Sequence, residues 1–211
     1  MKAVVFRGVG DIRVEDVSQP KIQAPTDAIV RLVASAICGT DLHMVRGTMT
    51  MMKPGTILGH EGVGIVEELG PDVRNFRVGD RVVIASTIAC GYCSYCRSGY
   101  FSQCDNANPN GPQSGTAFFG GPEMNGPFHG LQAERARIPF AKAMNKNLTI
   151  NMGNCNHRKY IPMLIDTVRS GEVNPARILT QHEPLGSAVD AYKAFDDRQE
   201  GWIKVKLEPV G

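Results

Sequence analysis

The amino-acid sequence predicts a mainly β fold with a smaller helical part, of the α+β class. In the first two thirds of the 211-residue chain, short segments rich in β-branched residues alternate with Gly, Pro and Asp turns. The last third instead carries apolar residues at helical spacing. Many short strands with frequent turns are typical of a β-barrel or sandwich, here completed by two C-terminal helices.

The strands are predicted from composition and from the turns between them. We expect them at residues 2–6, 11–17, 28–37, 62–69, 81–86 and 131–138. The first two form a hairpin, and the third is long enough to be a central strand. Near the end of the chain Ile203, Val205 and Leu207 alternate with lysines, which predicts a half-buried strand. Residues 105–126, rich in Gly, Asn and Pro, are predicted to form a long loop.

Two apolar stripes in the last third predict helices that face the core. The first stripe consists of Tyr160, Ile161, Leu164, Ile165 and Val168, with Gly171 as the helix stop. The second consists of Leu185, Ala188, Val189, Tyr192 and Phe195. We assign neither stripe a chemical role.

Composition and charge exclude several classes of function. The chain is 42% hydrophobic and 21% charged with a net charge of +2, which is ordinary for a globular protein and leaves no basic patch for nucleic acid or membrane surfaces. The apolar run at the start is too short for a signal peptide, and no run approaches the roughly 18 residues of a membrane span. We therefore expect a cytoplasmic protein, in which six cysteines indicate metal binding or catalysis.

The strongest motif is a four-cysteine loop with the spacing C-x2-C-x2-C-x7-C, formed by Cys90, Cys93, Cys96 and Cys104. Four thiolates can surround one Zn²⁺ tetrahedrally, and two-residue gaps let successive sulfurs converge in a tight turn. Such a closed site stabilises a loop and performs no chemistry. A pair of disulfides and an iron–sulfur cluster are the alternatives, and zinc is the prediction.

A second constellation lies at predicted strand ends. Cys38 follows the long strand, and His60 precedes the next one. A lone Cys and a lone His form a buried core pair more often than a metal site, but their neighbours favour a catalytic zinc centre. Asp41 can orient the His60 imidazole from behind. Thr40 and His43 offer a hydroxyl and an imidazole that can carry a proton from a bound alcohol to solvent.

These motifs together resemble the zinc-dependent alcohol dehydrogenases of the medium-chain dehydrogenase/reductase superfamily. The matching stretches are residues 38–43, 59–64, 78–82 and the four-cysteine loop, in the family's order and spacing. The resemblance covers almost all of residues 1–140 and implies a catalytic domain with a GroES-like β-barrel fold. It also implies that the complete protein interconverts alcohols and aldehydes with NAD.

The resemblance assigns roles to individual residues. Cys38 and His60 would be ligands of the catalytic zinc, and Glu61 the adjacent carboxylate that can approach the metal. Thr40 and His43 would form the proton relay. The four-cysteine loop, in a lobe at about residues 88–106, would hold the structural zinc.

The nicotinamide-binding domain of such enzymes is not found in the sequence. A G-x-G-x-x-G turn between a strand and a helix is absent. The resemblance places the gap near Ala141, with residues 1–140 and 158–211 as the two parts of the catalytic domain and residues 141–157 as the junction. We expect an engineered deletion, with a natural short relative or a partial gene product as alternatives, and little or no NAD-dependent turnover.

The missing domain has two further consequences. In related enzymes the third protein ligand of the catalytic zinc lies in the missing segment, and Glu61 is the nearest candidate to replace it; Cys155 and His157 are assigned no role. The face that would meet the cofactor domain should be exposed, which favours self-association. A small alcohol or aldehyde is the expected substrate. The alternatives are a non-catalytic zinc-binding module and weak hydrolysis by zinc-bound water, with His43 as base.

Overall fold

The computed structural model of the chain describes residues 1–141 and 157–209, in which eight strands form two sheets. The smaller sheet is a hairpin of β1 (Lys2–Gly8) and β2 (Asp11–Asp16). The larger sheet contains β3 (Ala28–Ile37), β4 (Gly62–Leu69), β5 (Arg81–Ile84), β6 (Arg135–Ile138), β7 (Gln181–Pro184) and β8 (Val205–Glu208). Its order is β5-β4-β3-β8-β7, and β6 also pairs with β3.

The helices are short except for one. They are α1 (Gly39–Val45), α2 (Ser94–Arg97), α3 (His157–Arg169) and α4 (Ala188–Asp196). Single 3₁₀ turns lie at Phe101–Gln103, Pro112–Ser114, Glu123–Asn125, Pro175–Ile178 and Leu185–Ser187. Residues 105–126 are therefore mostly loop, as predicted.

The long strand β3 is the centre of the larger sheet, as its length and composition predict. It pairs along one edge with β4 and along the other with β6 and β8. The strand β8 comes from the C-terminal part of the chain and also pairs in parallel with β7. The two parts of the chain thus share one sheet, and the end of β3 delivers Cys38 to the place where they meet.

The N-terminal hairpin, β3 and β4 form where the sequence predicts them, whereas three other strands are shorter. Strand β5 ends at Ile84, and β6 begins only at Arg135. In the last strand Val205 and Leu207 are fully buried, but Ile203 lies before it and is 65% exposed. The predicted barrel is not closed among the described residues, because the hairpin meets the rest through isolated bridges rather than full ladders.

The two C-terminal stripes have different outcomes. Leu185, Ala188 and Tyr192 are buried in a core cluster, so the second stripe faces the core as predicted. The first prediction is wrong for Leu164 and Val168, which are exposed. Helix α3 lies across a cavity from β5, lined on the helix side by Arg158, Ile161 and Ile165. Leu164 and Val168 are on its exposed side.

Among residues 1–141 and 157–209 no alternating parallel β/α unit of dinucleotide-binding size occurs, and β7 and β8 are the one parallel strand pair. No helix in this part of the chain has the length and apolar character needed to cross a membrane.

Candidate metal centres

Cys38 is held at the start of α1 by its own backbone and side chain. Its backbone N–H donates to Asp41 Oδ2 at 2.9 Å, and its Sγ accepts from the Thr40 N–H at 3.3 Å. This reciprocal cap satisfies amide donors that a helix start leaves free. The strand end and the cap together fix the direction of the Cys38 thiol.

His60 is fixed by the loop that runs beside Gln132. The Gln132 N–H donates to the Leu58 carbonyl at 2.9 Å. Gly59 has φ +95°, and a Cβ there would lie 2.5 Å from Gln132 Cγ, so only glycine fits the turn. This loop brings His60 Nε2 to hydrogen-bond distance, 3.0 Å, from Cys38 Sγ, so the two potential metal donors face each other.

Asp41 lies behind the imidazole and is fully buried. Its Oδ1 is 3.5 Å from His60 Nδ1, an ion-pair distance longer than a good hydrogen bond, and neither atom has a hydrogen-bond partner among the described residues. The donor atoms of Cys38, Asp41 and His60 lie within 4.8 Å of one another. A thiolate, an imidazole and a carboxylate this close, two of them with buried unsatisfied atoms, fit a cation such as Zn²⁺.

The electrostatics of this cluster favour a charged pair. Burial opposes the Cys38 thiolate, but the hydrogen bond and positive charge of His60 outweigh burial and lower the pKa of the Cys38 thiol. Burial likewise opposes imidazolium, yet the Cys38 hydrogen bond and the Asp41 charge raise the pKa of His60 to about 9. Burial raises the pKa of Asp41, against the influence of His60.

The other predicted catalytic residues lie around this cluster but outside it. Glu61 is paired with Lys204, whose Nζ is 2.6 Å from Oε2. His43 is exposed on α1 and its Nδ1 is 2.8 Å from Thr48 Oγ1. Thr40 is half-buried one helical turn before His43. The structure therefore brings Cys38 and His60 together with Asp41 rather than with Glu61.

Sequence reasoning missed three residues near this cluster. Gln132 is fully buried against Gly59, and Tyr192 donates from its hydroxyl to Gln132 Oε1 at 2.8 Å. Lys204 holds Glu61. A lone buried glutamine carries no motif, and Tyr192 and Lys204 fit the patterns of a helix stripe and a strand, so only the fold reveals their neighbours.

The four cysteines converge in a lobe built from α2 and the following 3₁₀ turn. All four sulfurs lie within 4.8 Å of one another, and Cys93 Sγ and Cys104 Sγ are 4.0 Å apart. This separation is about twice the ~2.05 Å of a disulfide bond, and the four cysteines are free. It is close to the ~3.8 Å between sulfurs that Zn–S bonds of about 2.3 Å give in a tetrahedron.

Amide donors surround the sulfurs. The Tyr92 and Cys93 N–H groups and Asn106 Nδ2 all approach Cys90 Sγ, at 3.5, 3.4 and 3.3 Å. Hydrogen bonds of this kind stabilise thiolate ligands. The interaction between Cys96 and Cys104 lowers the pKa of Cys104 and raises the pKa of Cys96. The donor set fits a single tetrahedral ion.

Arg158 is the residue of α3 that reaches this lobe, which the sequence did not predict. It is buried, and its Cζ lies 5.6 Å from the centre of the Phe101 ring. Burial lowers its pKa to about 10, while the negative charges of Cys96, Cys104 and Cys90 act in the opposite direction. The neighbouring His157 Nδ1 is 3.2 Å from Ser86 Oγ. Cys155 lies outside the described residues.

Comparison with known proteins shows which family the sequence matches. Residues 24–147 match the family of alcohol dehydrogenase GroES-like domains. The chain is 44% identical over 141 residues, 67% of its length, to an uncharacterized zinc-type alcohol dehydrogenase-like protein, AdhB of Bacillus subtilis. It is 42% identical over 149 residues, also 67% of its length, to a zinc-type alcohol dehydrogenase-like protein of Schizosaccharomyces pombe. The aligned part spans 37% and 35% of those proteins, just over a third of each.

A solved structure shows the same fold. Alcohol dehydrogenase TADH from Thermus sp. ATN1 superposes with a TM-score of 0.84 at 20% identity, covering 100% of both chains.

Proposed function

This chain belongs to the family of alcohol dehydrogenase GroES-like domains, and we propose that it is the zinc-binding catalytic domain of an alcohol dehydrogenase-like oxidoreductase. The parent reaction is the interconversion of alcohols and aldehydes with NAD. The observation that carries the proposal is the 3.0 Å approach of Cys38 Sγ to His60 Nε2, with Asp41 buried behind the imidazole.

In this proposal Cys38 and His60 hold the catalytic zinc and Asp41 fixes the imidazole. Zinc bound there supplies Lewis-acid chemistry, polarising an alcohol oxygen and lowering the pKa of its hydroxyl. Glu61 is the candidate third ligand because it directly follows His60, and it must first leave Lys204. A site with three protein ligands and one open position is the arrangement that catalysis needs.

Thr40 and His43 are proposed to carry the proton from the alcohol to solvent. They lie three residues apart on α1, so their side chains share one face of the helix. His43 is exposed and shares a 2.8 Å contact with Thr48 Oγ1. Because its imidazole is exposed to water, His43 is the outer member of the path.

The four-cysteine lobe is proposed to hold a structural zinc. Four protein donors within 4.8 Å leave no open position for a substrate. Cys90, Cys93, Cys96 and Cys104 would therefore keep the lobe in place against the sheet, close to Arg158.

Turnover with NAD is proposed to be weak or absent. Residues 1–140 and 158–211 act as two parts of one domain, with the cofactor domain missing at the junction 141–157, of which residues 142–156 lie outside the described residues. Support for the two-part domain comes from the pairing of β8 with β3, which joins both parts in one sheet. Zinc-loaded protein mixed with NAD and simple alcohols should give no rise in NADH absorbance; a robust rise would contradict this part.

A second candidate is a zinc-binding module without catalysis, which the four-cysteine lobe favours because its donor set alone is complete. Zinc stoichiometry separates the two. The catalytic domain should hold two zinc ions per chain, falling to one in either Cys38→Ser or Cys104→Ser. A wild-type chain that holds one ion, unaffected by Cys38→Ser, would establish the module instead.

Self-association through α3 is part of the proposal. Met163, Leu164 and Val168 are exposed on one side of this helix, and apolar patches of this kind favour protein contacts. Sedimentation should show dimers or larger species that revert towards monomers in a Leu164→Glu, Val168→Glu variant. A wild-type chain that stays monomeric at high concentration would contradict it.

A further inference from the structure

Tyr192 brings the C-terminal part of the chain to the Cys38–His60 cluster. It lies on α4 and is 3% exposed. Its hydroxyl donates to Gln132 Oε1 at 2.8 Å, and Gln132 Nε2 donates to the Ala36 carbonyl at 3.2 Å. Ala36 lies two residues before Cys38. Removing either partner of a buried hydrogen bond leaves the other unsatisfied and costs free energy. The Tyr192–Gln132 hydrogen bond therefore stabilises this arrangement.

Gln132 also supports the loop that carries His60. Its backbone N–H donates to the Leu58 carbonyl at 2.9 Å, and its side chain packs where any Cβ on Gly59 would collide. A shift of Gln132 would therefore change the turn that directs the imidazole. Through this one glutamine, Tyr192 is connected to both candidate zinc ligands.

The phenol also faces Asp41. Burial raises the pKa of Tyr192 well above its ordinary value, and the negative charge of Asp41 acts in the same direction. The hydroxyl is thus hydrogen-bonded to Gln132 Oε1 and lies within the electrostatic influence of the Asp41 carboxylate. Asp41 in turn contacts His60 Nδ1.

The ring of Tyr192 packs among residues that flank the ligands. Ile37 precedes Cys38, Met44 lies on α1, and Leu58 lies two residues before His60; all belong with Tyr192 to one buried cluster. Interiors pack closely and transmit small displacements. The ring thus packs against the segments that carry the ligands, while the hydroxyl hydrogen-bonds to Gln132.

We propose that Tyr192 is a positioning residue for the Cys38–His60 metal centre, its hydroxyl orienting Gln132, which supports both the strand end before Cys38 and the loop of His60, so that thiolate and imidazole converge on one ion. The inference rests on the proposed function. Groups that orient metal ligands typically contribute about 10- to 100-fold in metal affinity. Removal of the hydroxyl alone should weaken metal binding at this centre about tenfold.

Cobalt(II) titration of the full chain tests the inference, because cobalt reports each site by its visible absorption. Tyr192→Phe removes the hydroxyl and keeps the ring. Tyr160→Phe, on α3 and outside the buried cluster that contains Tyr192, is the matched control. Competition with a chelator gives the affinities, and the four-cysteine lobe is an internal reference. Tyr192→Phe should lose about tenfold at the Cys38–His60 centre with changed absorption, whereas the lobe and Tyr160→Phe keep wild-type values.

The outcomes separate the two proposals. If the wild type binds cobalt only at the four cysteines, the proposed function fails and this inference with it. If the wild type fills both centres and Tyr192→Phe matches it at both, only the inference fails. Equal weakening at both centres, together with a lower melting temperature, would show a general loss of stability and would also overturn the positioning role.

Discussion

Lys204 Nζ lies 2.6 Å from Glu61 Oε2, so a cation from the C-terminal part of the chain holds the carboxylate next to His60. Lys204 comes just before β8, which pairs with the end of β3. The same strand pairing that joins the two parts of the chain therefore sets a positive charge beside the candidate metal centre. That charge competes with a metal ion for Glu61.

Lys204→Gln should strengthen zinc binding at the Cys38–His60 centre. Removal of the ammonium group frees Glu61 and relieves repulsion of the metal. Both side chains are partly exposed, and water therefore weakens the Lys204–Glu61 interaction. We expect zinc affinity to rise about two- to fivefold. Chelator competition measures it, with the four-cysteine lobe as the reference.

Lys206→Gln is the matched control, because Lys206 makes an equally close pair with Glu208. It should leave both zinc affinities unchanged. Weaker binding in Lys204→Gln would mean that Lys204 supports the site rather than restrains Glu61, and would contradict the prediction.

Zinc binding at the Cys38–His60 centre should strengthen with pH beyond the range of a free histidine. The pKa of His60 is raised from 6.5 to about 9. The proton on His60 must leave before Nε2 binds zinc. The apparent zinc affinity should therefore rise about tenfold per pH unit up to about pH 9. The same shift stabilises the metal-free fold below pH 6.5, and that contribution is lost as the pH rises through about 9.

Calorimetry at about pH 7.5 in two buffers of different ionisation enthalpy, on protein whose four-cysteine lobe is already filled with zinc, counts the protons released at the Cys38–His60 centre. Release of close to one proton per zinc from His60 is expected. An affinity that levels off above pH 7, as for an ordinary imidazole, would show that Cys38 and Asp41 do not hold the proton on His60.

The sequence predicts correctly those elements whose limits depend on nearby residues. The limits of β3 and β4 follow from β-branched runs that end at turn residues, and the structure confirms both. The four sulfurs converge because two-residue gaps and α2 force them together. Cys38 and His60 were predicted as partners from their residue types and the family's motif, and they lie side by side.

Asp27 should be a strong determinant of stability. Its buried carboxylate accepts from the Gln23 and Ala24 N–H groups at 3.0 and 2.9 Å and from Arg137 Nη1 at 3.0 Å. Asp27→Ala leaves all three donors without this acceptor. We expect a loss of about 2–4 kcal/mol in the free energy of unfolding, measured by urea denaturation.

Asp16→Ala is the control for Asp27, because its pair with Lys2 is exposed. It should leave the free energy of unfolding almost unchanged. Similar losses in the two variants would show that burial of the Asp27 carboxylate does not matter.

What the sequence did not predict depends on contacts between distant segments. The apolar stripe of α3 has the spacing of a core-facing helix. Periodicity cannot show whether another segment packs on Leu164 and Val168, and both are exposed. Glu61 follows a predicted ligand, yet Lys204, 143 positions later, takes its carboxylate. Tyr192 fits a helix stripe, and its hydroxyl gains a partner only when α4 packs on Gln132.

Gly130→Ala should disrupt the His60 loop and empty the Cys38–His60 centre of zinc while the four-cysteine lobe stays filled. A Cβ at Gly130 would lie 2.2 Å from the Leu58 carbonyl oxygen and 2.5 Å from that of Gly59. Both are backbone atoms, so the loop must move, and His60 moves with it. Metal analysis should fall from two zinc ions per chain to one. Gly186→Ala, where a Cβ meets nothing within 4 Å, should keep both. Two tightly bound zinc ions in Gly130→Ala would show that the loop accommodates the new Cβ without displacing His60, and would contradict the prediction.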